Sequence, residues 1–125
     1  MKVAYIFRNN MASTFQLATM ILPQLETNNH LVNVLGMFFF DDNINILRKN
    51  DPVGERLAKI AKEKSMLLMV CDQCAVRRNL AEGTFEMCGS GNVKAKGLVD
   101  GVQAGCFPQL YEALGSNPPD QVITL

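Results

Sequence analysis

The sequence has no tryptophan, a single histidine and no excess of either charge, with twelve Lys and Arg against twelve Asp and Glu. That balance argues against nucleic acid as the main partner, since binding to a phosphate backbone needs a clustered basic surface. No stretch reaches the roughly 18 consecutive apolar residues a helix needs to cross a bilayer, so no membrane role is expected. The chain enters a strand-like run at once instead of a basic, apolar, small-residue leader, and the expected location is the cytoplasm. There is no glycine-rich phosphate loop, no GxGxxG after the first strand and no Ser/His/Asp set, which leaves thiol chemistry alone in the field and no cofactor expected. The lone His30 follows Asn28-Asn29 at a helix end, a place for a solvated or capping side chain.

What is present fits one domain spanning residues 1–125, long enough to bury a single core without staples. Only 19% of residues are charged against 48% hydrophobic, which leaves apolar surface that burial between copies of the chain would use. A homo-oligomer is therefore expected. Four cysteines without a secretion signal point to redox, metal-binding or nucleophilic thiols more than to structural disulfides.

Along the chain, Lys2–Phe7 is rich in β-branched and aromatic residues and reads as a first, central strand. From Ser13, a candidate N-cap, apolar Phe15, Ala18, Ile21, Leu22 and Leu25 recur at helical spacing up to Asn28-Asn29, with a bend expected at Pro23. Leu31–Phe40 is a second buried strand, closed by Asp41-Asp42-Asn43. That acidic pair lands at the strand's carboxyl end, where turn and cap chemistry explains it as well as a functional role. Asp51-Pro52 starts a helix with Leu57, Ile60 and Ala61 on one face and a solvated charged face opposite.

Met66–Val70 is an apolar run that stops in Cys71-Asp72-Gln73-Cys74, followed by Ala75-Val76-Arg77-Arg78. It reads as a buried strand feeding a helix over Asp72–Leu80, with Cys71 at the junction. In an open α/β sheet such a junction opens into the ligand crevice. Glu82–Asn92 is glycine-rich, lacks periodicity and carries Cys88, so it reads as a loop long enough for an active-site flap. A short extended piece at Gly101–Ala104 precedes Gly105-Cys106-Phe107-Pro108, the first turn of a helix that Gly115–Pro119 stops. Gln121–Leu125 is a last strand. Five strands alternating with helices predict a parallel sheet wrapped on both faces.

Three cysteines thus have access to one crevice, Cys71 and Cys74 after the third strand and Cys106 after the fourth, and Cys88 sits on a loop able to reach them. A thiol in the first turn of a helix meets unsatisfied amides and the positive end of the dipole, so Cys71 and Cys106 are expected to form thiolates, aided by Arg77 or Arg78. A helix-start CxxC also fits thioredoxin-like exchange, but no thioredoxin order of elements accompanies it. A zinc site or thiol-redox sensor built from Cys71, Cys74, Cys88 and Cys106 is the alternative, with one knuckle spacing right and the other pair too far apart.

Val70–Arg78 resembles the segment of DsrE/TusD-like sulfur-relay proteins in which a cysteine follows a strand and an alanine-rich helix with Arg-Arg comes next. Met37–Asp42 resembles that family's second strand and acidic turn, and Gln109–Leu114 with Asp120–Leu125 its closing helix and strand. The resemblance implies a flavodoxin-like or Rossmann-like α/β/α sandwich assembling as trimers or hexamers. It also implies that Cys71 carries sulfur as a persulfide or thiosulfonate, as a carrier or sulfurtransferase, between TusA-like or rhodanese-like partners or small sulfur species. The extra Cys74, Cys88 and Cys106 depart from a single-cysteine relay, because a neighbouring thiol can attack a persulfide and release sulfide.

Overall fold

In the computed structural model, which describes residues 1–84 and 87–125, the β-branched start of the chain becomes strand β1 (Lys2–Phe7). A π-helical stretch, Ala12–Ile21, runs directly into helix α1 (Leu22–Glu26). Strand β2 (Asn33–Phe39) leads into a 3-10 segment, Asp41–Leu47, and then helix α2 (Pro52–Lys64). Strand β3 (Leu67–Cys71) feeds helix α3 (Asp72–Arg77). Two short strands, β4 (Ala81–Gly83) and β5 (Val93–Ala95), precede β6 (Val102–Gly105), helix α4 (Phe107–Gly115) and β7 (Gln121–Thr124).

Five strands pair in the order β6-β3-β2-β1-β7, and every pair is parallel. The register sets Phe7 beside Phe39, Phe39 beside Val70 and Cys71 beside Gly105, so the carboxyl ends of four strands share one rim. Right-handed crossovers from β1 through β2 and β3 to β6 run in one direction and place their helices on one face. The return from β6 to β7 places α4 on the other, which makes the fold an α/β sandwich. The core covers both faces of the sheet, and β1, β2 and β3 are buried along most of their length. Phe7 stacks on Phe39 at 4.9 Å between ring centres, and both are fully buried with Val3, Leu17, Leu22 and Met37.

The opening helix departs from the sequence expectation. Ser13 is no N-cap: it is buried inside the winding, behind Met11 at φ 65°. The N–H groups of Phe15 and Gln16 both reach the Met11 carbonyl, and that of Leu22 reaches Leu17 five residues back. Pro23, which has no N–H, falls in the first turn of α1, just where the winding tightens and the missing donor costs least. α2 follows expectation, with the Asp51 side chain accepting from the amides of Val53 and Gly54 and Lys62 and Lys64 in the last turn.

α3 is shorter than the sequence suggests. It ends at Arg77, and Asn79 takes a left-handed φ of 57° that turns the chain away. The stretch read as a plain loop is flanked by the antiparallel β4–β5 pair, with Ala81 opposite Ala95 and Gly83 opposite Val93. Strands of three residues leave no alternation to read. Within the expected flap, Phe85 and Glu86 lie outside the described residues. β1 is interior, between β2 and β7, while β2 occupies the centre.

Candidate functional site

The rim formed by the strand ends gathers the residues that the sequence singled out. Cys71 is the last residue of β3 and the N-cap of α3, and Cys74 lies one turn further on. Across the rim, the chain leaves β2 through Phe40 and turns at Asp41, whose φ is 51°, a conformation that aspartate tolerates. This turn aims the Asp41 N–H at Cys74 Sγ, 3.2 Å away. Arg78 fixes the arrangement: its Nε and Nη2 donate to Asp42 Oδ1 at 3.0 and 2.8 Å, and its Nη1 donates to the Cys74 carbonyl at 3.1 Å. Cys71, Cys74, Asp41, Asp42, Gln73, Arg77 and Arg78 line an open cleft of about 510 Å³. Arg77 is exposed at its edge and makes no ion pair among the described residues.

The two sulfurs of the CxxC are unequal. The Cys71 thiol donates to Cys74, and with the Asp41 amide and the Arg78 charge it lowers the Cys74 thiol to about 7, against burial and the Asp41 carboxylate, which oppose ionisation. Cys71 moves the other way, held protonated by its bond to Cys74 and by burial. The shifts run in opposite directions and favour ionisation at Cys74, whose sulfur also faces Asp41 Oδ1 at 3.8 Å. The expectation from the helix start is ionisation at Cys71. α3 has only six residues, so its dipole is weak, and the nearest donor amide comes from a different strand end.

Behind this pair lies a second. Cys88, on the β4–β5 excursion, hydrogen-bonds to Cys106, the N-cap of α4, and to the carboxylate of Asp72. Burial first, then those two bonds, push the Cys88 thiol up to about 11. Asp72 is almost fully buried, and its two oxygens accept the N–H groups of Gln73 and Gly89, each at 2.8 Å. Gln109 closes the loop from the other side, accepting from Cys106 N at 2.9 Å and donating to the Gly89 carbonyl at 2.8 Å. Gly89 must be glycine here: its φ is 79°, and a Cβ would stand 3.0 Å from Pro108.

Cys71 Sγ, Cys88 Sγ and an Asp72 carboxylate oxygen lie within 4.8 Å of one another. The four sulfurs therefore follow one another as Cys74, Cys71, Cys88 and Cys106. They do not form the four-cysteine zinc set that the spacing allowed. Among the described residues the grouped donors are Cys71, Asp72 and Cys88, and the other two thiols stand at opposite ends. Asp72 already spends both oxygens on backbone amides.

Two side chains, Gln109 and Asp72, were not singled out from the sequence, and Asp41, which was, acts through a group that was not. Gln109 had a legible signal, because Cys106-Phe107-Pro108-Gln109 has the spacing of a capping box with sulfur in place of the hydroxyl. Asp72 had none beyond its polarity, since burial of a carboxylate comes from chain segments far along the sequence. The Asp41 contribution is a backbone amide, which no side-chain pattern announces.

Comparison with known proteins gives a likeness of fold. No family profile matches the chain and no curated protein sequence matches it. Among solved structures, the crystal structure of the YchN protein from E. coli aligns over 100% of both chains with a TM-score of 0.60 and 18% sequence identity. That match supports the DsrE-like resemblance at the level of the fold. Among the described residues no helix is long and apolar enough to cross a membrane.

Proposed function

We propose that the chain is a sulfur-transfer protein in which Cys74 takes up sulfane sulfur as a persulfide and Cys71 stands ready to cut it. The observation that carries this reading is the Asp41 N–H held 3.2 Å from a Cys74 sulfur that also receives the Cys71 thiol proton. A sulfur so placed is substantially thiolate near neutrality, and the thiolate is the nucleophile. The attack assigned to Cys71 from sequence thus moves three residues along, to the side of the CxxC that faces Asp41.

In the uptake step the Cys74 thiolate attacks the outer sulfur of a donor RS–SH. A Cys74–S bond forms, the donor's S–S bond breaks, and RS⁻ leaves with the electron pair. The product, Cys74–S–SH, passes its proton to the departing RS⁻, and the persulfide anion lies beside Arg78 and the Asp41 amide. Delivery reverses the step onto an acceptor thiolate. The open cleft suits small sulfur species or the exposed cysteine of a partner protein, of the TusA-like or rhodanese-like kind that the resemblance implies. The apolar face bearing α4 has a cleft of about 390 Å³ lined by Ile6, Phe38, Phe107, Tyr111, Leu114 and Val122, and it suits packing against another copy of the chain in a trimer or hexamer.

The test is intact-protein and peptide mass spectrometry after brief exposure of the reduced protein to glutathione persulfide. In Cys71→Ala, where the cutting thiol is gone, one added sulfur accumulates on Cys74. In Cys74→Ser that adduct is absent. An adduct in Cys74→Ser as full as in wild type overturns the assignment.

A further inference from the structure

The proposed uptake uses two thiols, yet two more lie directly behind them, in an order that has consequences for electron flow. Cys88 Sγ is within 4.8 Å of Cys71 Sγ, and Cys88 hydrogen-bonds to Cys106 on its other side. The contact is built, not incidental: Asp72 and Gln109 hold Gly89 from both sides, and Gly89 packs on Pro108 beside Cys106. Cys74, Cys71 and Cys106 are buried, and only Cys88 is partly open to solvent.

We propose that Cys88 and Cys106 are a second dithiol that takes over the disulfide left on Cys71 and Cys74 when sulfide is released, so that one reduced chain discharges two sulfane sulfurs before it needs an external reductant. The inference rests on the uptake reading above. It makes the protein a reductive discharger of sulfane sulfur, with its substrate class persulfides and inorganic polysulfide.

The steps balance. Cys71–SH attacks the inner sulfur of Cys74–S–SH, a Cys71–Cys74 disulfide forms, and HS⁻ leaves while the Cys71 proton is released. The sulfane sulfur is reduced to sulfide and the two cysteines are oxidised. Cys88 then attacks Cys71, giving its proton to the Asp72 carboxylate it touches, and Cys74 leaves as thiolate. Cys74 is the right leaving sulfur because it is the more acidic of the pair, and exchange is faster with a more acidic leaving thiol. Cys106 attacks Cys88, its proton passes to Cys71, and a Cys88–Cys106 disulfide remains. The CxxC is again a dithiol and accepts a second sulfur. A small thiol or dithiol protein reaching Cys88 resets the chain by reducing that disulfide.

The experiment uses the full chain, reduced, freed of reductant and kept anaerobic, with excess inorganic polysulfide as the probe. Sulfide above a protein-free blank, remaining thiols and a non-reducing peptide map are read together. Wild type is expected to lose four thiols, to show both Cys71–Cys74 and Cys88–Cys106 disulfides, and to release twice the sulfide of Cys88→Ser or Cys106→Ser. In Cys74→Ser the Cys88–Cys106 disulfide is expected to be absent. Three results overturn the relay: wild-type sulfide equal to that of Cys88→Ser, a Cys88–Cys106 disulfide that forms fully in Cys74→Ser, or a stable Cys74 adduct with no sulfide. The first and third leave sulfur uptake at Cys74 standing. A chain that neither gains sulfur nor loses thiols overturns both readings.

Discussion

The backbone N–H of Asp41 donates to the sulfur of Cys74 across 33 positions of sequence, at 3.2 Å. One residue's amide thus helps to set another's charge state, while the same residue's carboxylate works against it. Amide and carboxylate can be separated by substitution.

Alkylation of Cys74 followed against pH should give a midpoint near 7. Cys71→Ala removes the donor thiol and should move the midpoint toward the ordinary cysteine value of about 8.5, cutting the thiolate fraction at neutral pH roughly tenfold. Arg78→Met should shift it the same way by less. Asp41→Asn keeps the amide and removes the opposing charge, so the midpoint should fall. A rise in Asp41→Asn would show that the carboxylate is not what restrains ionisation.

Asp72→Asn should loosen the second thiol pair. An amide has one acceptor oxygen where the carboxylate has two, so either Gln73 or Gly89 loses its partner. Leaving a buried N–H unsatisfied costs about 1–3 kcal/mol. The urea midpoint should drop accordingly, and Cys88 should alkylate faster in the native state while Cys74 changes little.

His30 should make the fold acid-sensitive. Its Nε2 lies 3.0 Å from the Tyr5 hydroxyl and its Nδ1 2.8 Å from Gln24 Oε1, which hold the ring in a half-buried place. Burial lowers its pKa in the fold, so the unfolded chain binds the proton more readily. Stability from this group is complete above the unfolded value of about 6.5 and declines as pH falls below it. In His30→Gln the urea midpoint should lose part of its decline between pH 7.5 and 5.5, taken here as about one unit either side of that value.

Asn43 pins the rim. Buried, it accepts from Ser13 N and Oγ at 3.0 and 2.9 Å and donates to the Asn9 carbonyl at 3.2 Å. Asn43→Ala orphans the buried Ser13 and should destabilise the protein by about 2–3 kcal/mol in denaturant titration. Asn43→Asp, which keeps the acceptor oxygens, should restore the bonds to Ser13 and recover part of that loss.

The α4 face should carry self-association. Val122 is 52% exposed and Tyr111 68%, both beside a cleft of apolar residues on the edge strand's side of the sheet. Val122→Lys with Tyr111→Lys should lower the mass measured by light scattering to that of a single chain, leaving the circular dichroism spectrum unchanged. A wild type that is already monomeric at high concentration would remove the reason for the apolar face.

Apolar runs and their punctuation made the five strands and their succession along the chain legible, because strands inside a parallel sheet read as near-continuous apolar runs separated by crossovers. Lys2–Phe7, Met66–Val70 and Gln121–Leu125 each lie within a residue or so of an observed strand. The same order placed Cys71 and Cys106 at neighbouring strand ends, since parallel strands deliver their carboxyl termini to one rim. Nothing local announced the π-helical winding or the β4–β5 pair, whose periods are too irregular or too short to read. Above all, the surroundings that tune each thiol of the CxxC were beyond the sequence. Charge on a sulfur depends on burial and on donors within a few ångströms, and for Cys74 those donors come from Cys71, three residues away, and from an amide on another strand end. Only the tertiary fold brings Asp41 to Cys74 and sets Cys88 between Cys71 and Cys106, and so orders four thiols into one chain.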